Sequence, residues 1–157
     1  MTPIDLRPMS AAEYQAYVTY AVAIYAKEKV EAGNWTSDEA VAKSEKSFTD
    51  LLPEGLATAG HHLFTLVNAE GDAVGFLWYR LDPVKPTTAF VFDFEIAAPF
   101  QRRGYATAAL AALDDHARAH GATRLELHVF ASNAAARGLY AKAGFHETNV
   151  QMAKNLR

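Results

Sequence analysis

AFVFDFEIAAPFQRRGYATAALAALDDHARAHG, running from Ala89 to Gly121, changes its period in the middle. From Ala89 to Ala97 the residues alternate. Phe90, Phe92, Phe94 and Ile96 fall on one side, and Val91, Asp93 and Glu95 on the other. That period of two predicts a strand, closed by Pro99. From Arg103 to His120 the segment is rich in alanine, with Leu110, Leu113 and Ala117 on one stripe. That spacing predicts a helix, and Gly121 supplies its C-terminal stop. Thr123 to Phe130 alternates again, with Leu125, Leu127 and Val129 opposite Glu126, His128 and Phe130. A strand, a helix and a strand in this order predict a crossover onto a sheet.

The rest of the chain extends the pattern in both directions. Ile4 to Arg7 reads as a first strand. Ser10 with Glu13, and Thr36 with Glu39, are capping-box pairs that open two successive helices. Gly33 ends the first, and Pro53 with Gly55 ends the second. His62 to Val67 and Ala73 to Leu81 read as a hairpin across the loop from Ala69 to Asp72. Pro83 and Pro86 mark a loop. On the C-terminal side, Asn133 to Ala143 reads as a short helix ended by Gly144, and Phe145 to Leu156 as one or two further strands. Strands and helices then follow the order β-α-α-β-β-β-α-β-α-β-β, an α/β chain with a mixed sheet and helices packed on it.

A chain of 157 residues predicts one domain, here residues 2–157, and needs no covalent staples. It contains no cysteine, which excludes disulfides, a thiol nucleophile and cysteine-ligated zinc. A net charge of −3 argues against nucleic acid as a partner. No apolar run approaches the ~20 residues of a membrane span, so no membrane partner is expected. By elimination the expected location is the cytoplasm.

The segment Gln101-Arg102-Arg103-Gly104-Tyr105-Ala106 lies between a strand end and a helix start. The first turn of a helix carries unpaired N–H groups and partial positive charge. Gly104 lets backbone approach a ligand, Arg102 and Arg103 add cations, and Thr107 adds a hydroxyl. A diphosphate suits such a cradle. A plain basic helix start, with Gly104 packing the helix on the sheet, is the competing reading. No Gly-Lys-Ser/Thr follows and the three-glycine spacing is missing, so neither a Walker loop nor a dinucleotide fingerprint is present.

Gln-x-x-Gly-x-Ala at Gln101 to Ala106, after Ile96 and Pro99, resembles motif A of the GNAT superfamily of N-acetyltransferases. Leu125 to Asn133, continuing to Leu139-Tyr140 and Gly144-Phe145, resembles its motif B. The resemblance covers residues 89–145. It implies a central, mixed, mostly antiparallel twisted sheet of six to seven strands flanked by about four helices. It also implies acetyl-CoA as donor, with no metal. Backbone at Ile96 and Ala97 would bond the pantetheine arm. Gln101, Arg102, Arg103, Gly104, Tyr105, Ala106 and Thr107 would wrap the pyrophosphate. The strands ending at Ala97 and near Phe130 would splay to admit the thioester, and Asn133 would bond the cofactor, or be a plain N-cap of its helix, or do both.

Catalytic candidates follow from the chemistry. Aminolysis of a thioester expels a thiolate, which a phenol can protonate. Tyr140 stands where the family often has a tyrosine. An ammonium must lose a proton before it attacks. Glu95, beside Asp93 on its strand, is the first candidate base and His128 the second, with water or another residue as the third option. Trp35 either lines an acceptor pocket or caps the core. His116 and His120 are four apart on a helix, and a solvated face is their expected setting.

The expected activity is acetyl transfer to a primary amine of a small molecule or a protein. The alternatives are a non-catalytic CoA-binding sensor or scaffold, and a succinyl-type acyltransferase. A homodimer is compatible with the tail after Gly144.

Overall fold

The structure is a computed structural model, and it describes residues 2–156. Chain contacts divide it into two compact units, one ending at Leu127 and the other beginning at His128.

In the first unit the order is β1 (Ile4–Pro8), α1 (Ala11–Glu31), α2 (Ser37–Leu51), β2 (His61–Asn68), β3 (Ala73–Leu81), β4 (Thr88–Ile96), α3 (Tyr105–Ala119) and β5 (Arg124–Leu127). Short 3₁₀ turns at Gly55–Ala57 and Ala98–Phe100 interrupt the connections. The sheet runs β1-β2-β3-β4-β5, antiparallel throughout except for the parallel β4–β5 pair. That last pair needs the α3 crossover the sequence predicts.

The capping signals explain where the first two helices begin. Ser10 Oγ accepts from Glu13 N–H (3.1 Å), and Glu13 Oε1 accepts from Ser10 N–H (2.9 Å). At α2, Thr36 N–H donates to Glu39 Oε1 (3.2 Å). The buried Ser44 hydroxyl donates to Val22 O (2.7 Å) and ties α2 to α1.

Alternation along β2 and β3 separates two cores. Leu63 and Trp78 pack with Tyr17, Ala21 and Leu52, while Phe48, Phe76 and Phe92 close the edge of this cluster under α1 and α2. The residues of opposite parity, such as Phe64 and Tyr79, meet His116 of α3 on the other face.

Three expectations need correction. The sheet has five strands among the described residues, not six to seven. The tail from Phe145 forms no strand. Val150, Met152 and Leu156 are exposed (66, 87 and 86%), and the Asn, Glu, Ala and Lys around them disfavour a strand that no neighbouring strand completes. Finally, β4 does not alternate throughout. Trp78 pairs with Asp93 but Tyr79 pairs with Val91, leaving Phe92 as an extra residue, a β-bulge. The bulge shifts the phase, so Phe92, Asp93 and Glu95 all face α1 and its cluster.

Candidate active site

The β4–β5 ladder runs from the Thr88–Arg124 pair to the Val91–Leu127 pair and stops. β4 continues to Ile96, so its residues 92–96 have no β5 partner. The opening therefore begins at the bulge, and β5 ends at Leu127 rather than near Phe130. At the far end, Ala97 N–H donates to Val74 O (2.8 Å), and the Ile96 carbonyl accepts from Gln101 Nε2 (2.8 Å). The Gln101 side chain thus fastens the turn to the strand end.

The turn itself is built to expose N–H groups. Arg102 (φ 63°) and Gly104 (φ 84°) both adopt left-handed backbone. Such alternation turns successive N–H groups toward a shared concavity that suits an anion. Gly104 is the N-cap of α3 and provides no side-chain cap. The N–H groups of residues 104–107 have no acceptor among the described residues. A Cβ on Gly104 would stand 3.3 Å from Thr2 Oγ1. The Tyr105 ring turns inward, where its hydroxyl accepts from Asn68 Nδ2 (3.3 Å), so Tyr105 offers the turn its backbone. The Arg103 guanidinium lies over the Phe100 ring (5.8 Å). These features fit the pyrophosphate of an acyl-CoA.

Beside the opening, α1 meets the acidic residues of β4. Tyr17 OH donates to Asp93 Oδ2 (2.7 Å), and Tyr20 OH donates to both Glu95 oxygens (3.0 and 2.9 Å). The match is geometric: i, i+3 on a helix meets i, i+2 on a strand. Burial pushes the Asp93 carboxyl up to about 6; the Tyr17 hydrogen bond opposes this, and the neighbouring Glu95 charge adds to it. Burial raises Tyr17 and Tyr20 as well. The sequence pointed to Glu95 but gave no sign of the two tyrosines, because their contacts join residues more than seventy positions apart.

His128, Asn133 and Tyr140 lie in the second unit, which carries α4 (Ala134–Lys142). Asn133 caps it, its Oδ1 accepting from Ala136 N–H (3.2 Å). The Tyr140 ring meets Phe145 edge-on (5.6 Å), and the His128 ring meets Phe130 (5.2 Å).

His120 is exposed, as expected of a solvated helix face, but His116 is half-buried against the sheet. His116 Nδ1 bonds Tyr79 OH (2.6 Å), and both rings approach His62 to 5.0 Å. Among the described residues, no group of three His, Cys, Asp or Glu is placed to hold a metal ion. Burial, then the facing charges of His116 and His120, lowers His62 to about 4. Burial followed by His120 lowers His116. Between about 4 and 6.5 the unfolded chain therefore binds a proton at position 62 that the folded chain does not. Stability from neutral His62 is complete above about 6.5 and is lost as pH falls toward 4. His62→Phe keeps a ring and removes that proton. Its stability relative to the parent, read by urea unfolding, should rise between pH 7 and pH 5.

Trp35 packs on Tyr25 (5.5 Å), with Lys29 Nζ over both rings. No helix among the described residues is long and apolar enough to cross a membrane.

Known proteins share this architecture. The family model described as Acetyltransferase (GNAT) family matches residues 24–145. The uncharacterized N-acetyltransferase YycN of Bacillus subtilis (strain 168) is 49% identical over 154 residues, which is 98% of this chain and 99% of YycN. The crystal structure of YycN superposes with a TM-score of 0.90 at 48% identity, covering 98% of this chain and 99% of that one. AAC(6')-Iy, solved with the bisubstrate analog CoA-S-monomethyl-acetylneamine, shares the fold at a TM-score of 0.61 and 18% identity, over 98% of each chain. The motifs, the interrupted β4–β5 ladder and these full-length matches agree: the chain belongs to the GNAT family of acetyltransferases and is an N-acetyltransferase.

Proposed function

We propose that this enzyme transfers the acetyl group of acetyl-CoA to a primary amine of a small molecule or a protein, by direct attack of the amine on the thioester. The observation that carries the reading is the end of the β4–β5 ladder at Val91 and Leu127, with Glu95 beyond it on β4 and the N–H-lined turn at 104–107 behind it. The AAC(6')-Iy complex supports the same reading, because that protein of like fold accommodates a CoA–amine bisubstrate.

Acetyl-CoA supplies the activated acyl carbon. The protein's part begins with the turn. Its free N–H groups, the α3 N-terminus and the cations of Arg102 and Arg103 hold the pyrophosphate. The β4 backbone past the bulge lies open to the pantetheine arm. Glu95, held by the Tyr20 hydroxyl, accepts the proton that the acceptor ammonium gives up, directly or through one water. Asp93 and Glu95 together make this wall acidic, which favours a cationic acceptor. Tyr140 is the proton donor to the departing thiolate.

Two substitutions test these assignments. Glu95→Gln keeps the shape of the side chain and removes its basicity. It should lower kcat roughly 100-fold at pH 7 while leaving acetyl-CoA affinity within about twofold. Tyr140→Phe should lower kcat roughly 10- to 100-fold, again with little change in cofactor affinity. Both are read as thiol release with a saturating amine. Unchanged turnover in either variant removes that residue from the chemistry. Wild-type binding of acetyl-CoA without thiol release to any amine would favour the sensor or scaffold alternative.

A further inference from the structure

A cavity of about 340 Å³ opens where the start of β2, the end of β3 and the β3–β4 loop meet. Gly60, His61, Arg80, Asp82, Pro83 and Pro86 are among the residues that line it. Arg80 is unusual there. Its Nε is buried and has no hydrogen-bond partner, and it makes no salt bridge among the described residues. The Phe92 ring lies under the guanidinium at 5.2 Å, which satisfies the face of the group and leaves its N–H edge unused. Buried donors are nearly always paired, so an orphan of this kind needs an explanation.

The neighbours indicate what would pair with it. Trp78 Nε1–H donates to His61 Nδ1 (2.9 Å), which leaves the proton of the neutral imidazole on Nε2. His61 is therefore a second donor in the lining. Burial and, after it, the Arg80 charge hold its pKa down. Asp82 is the one carboxylate among the described lining residues; its Oδ1 is taken by the N–H groups of Val84 (2.7 Å) and Lys85 (2.9 Å), and its charge acts on Arg80 without forming an ion pair. Pro83 and Pro86, both exposed, give the groove an apolar rim.

We propose that this cavity is a carboxylate-binding site, in which the Arg80 guanidinium, whose Nε is closed to solvent as it lies on Phe92, turns its Nε–H and an adjacent Nη–H side by side toward the two oxygens of a planar carboxylate. The side-on fork is the geometry that uses Nε, and it matches a carboxylate with two parallel bonds. His61 contributes a further donor. The carboxylate belongs either to the acceptor amine itself or to a free carboxylic acid; the first source rests on the acetyltransferase reading, and the site itself does not.

The test uses sodium propionate on the whole protein without acetyl-CoA, with sodium chloride at equal ionic strength as control. The Nε–Hε resonance of Arg80, identified by its loss in Arg80→Lys, should shift saturably with propionate and not with chloride. Calorimetric titration should give binding at least tenfold weaker to Arg80→Lys, which keeps the charge but loses the fork. A linear, non-saturating shift, equal binding to the lysine variant, or the same response to chloride would overturn the proposal and leave water as the partner of Nε. Because acetyl-CoA is absent, a failed acetyl transfer cannot be mistaken for a failed site. With amines then supplied, propionate should raise KM only for acceptors that carry a carboxylate if the acceptor is the source. It should leave every KM unchanged if a free acid is. Either result is compatible with the site, which stands or falls on the titration.

Discussion

Gly104→Val is expected to weaken acetyl-CoA binding roughly 10- to 100-fold, a cost of about 1.4 to 2.8 kcal/mol. Two physical effects combine at this position. The backbone stands at φ 84°, where a β-branched residue is strained by about 1–3 kcal/mol. The chain can relieve that strain only by turning the first N–H groups of α3 away from their present direction. The new side chain also enters the space that backbone needs to approach a phosphate, and its Cβ already meets Thr2 Oγ1 at 3.3 Å. Gly121→Ala is the control. Gly121 ends the same helix at φ 96°, and a Cβ there meets nothing within 4 Å. It should cost comparable backbone strain and leave acetyl-CoA affinity unchanged. Equal affinity loss in both variants would mean that strain in α3, not access to the turn, governs binding.

Gly75→Ala is expected to lower folding stability by about 3 kcal/mol, the upper part of the range for overpacking. Gly75 pairs with Ile96 in the β3–β4 ladder. A Cβ there would collide with the Glu95 carbonyl oxygen and stand 3.1 Å from both Glu95 C and Ile96 Cα. All three are backbone atoms of a strand held on its β3 side, so no side chain can swing aside. The strand must move, and it carries Glu95 and the open edge with it. A domain of this size should lose about 6–12 °C in Tm, and turnover should fall even where the variant remains folded. A melt within 2 °C of the parent at full activity would show that β4 yields easily, contrary to a rigid strand end.

The fold was legible wherever local signals were strong. Ser10 with Glu13 fixed the start of α1, and the strand–turn–helix change of period at Ala97 to Gly104 located α3 and the turn before it. What escaped the sequence was set by tertiary pairing. No glycine or proline marks the bulge at Phe92, so the alternation placed Asp93 opposite Phe92, whereas the extra residue brings both to the α1 face. Nothing in the sequence marks Tyr17 and Tyr20; their hydroxyl partners became visible only once α1 lay on β4. His116 joins His62 and Tyr79 through a contact between α3 and the sheet, which helical spacing cannot foresee. The Phe145 to Leu156 segment holds Phe145, Thr148 and Val150 among residues such as Asn149, Lys154 and Asn155 that disfavour strands, and it has no partner strand among the described residues.

The central claim is that this chain presents an acyl-CoA site at the open end of β4 and the turn that follows. A thermal-melt series with acetyl-CoA, free CoA and ATP tests it most directly. At about 100 times its dissociation constant a ligand adds ~2.7 kcal/mol, a shift of about 5–10 °C for a domain of this size. The account predicts that shift with acetyl-CoA and CoA, none with ATP, and a much reduced one in Gly104→Val. No shift at millimolar acetyl-CoA, or an equal shift with ATP, would contradict it.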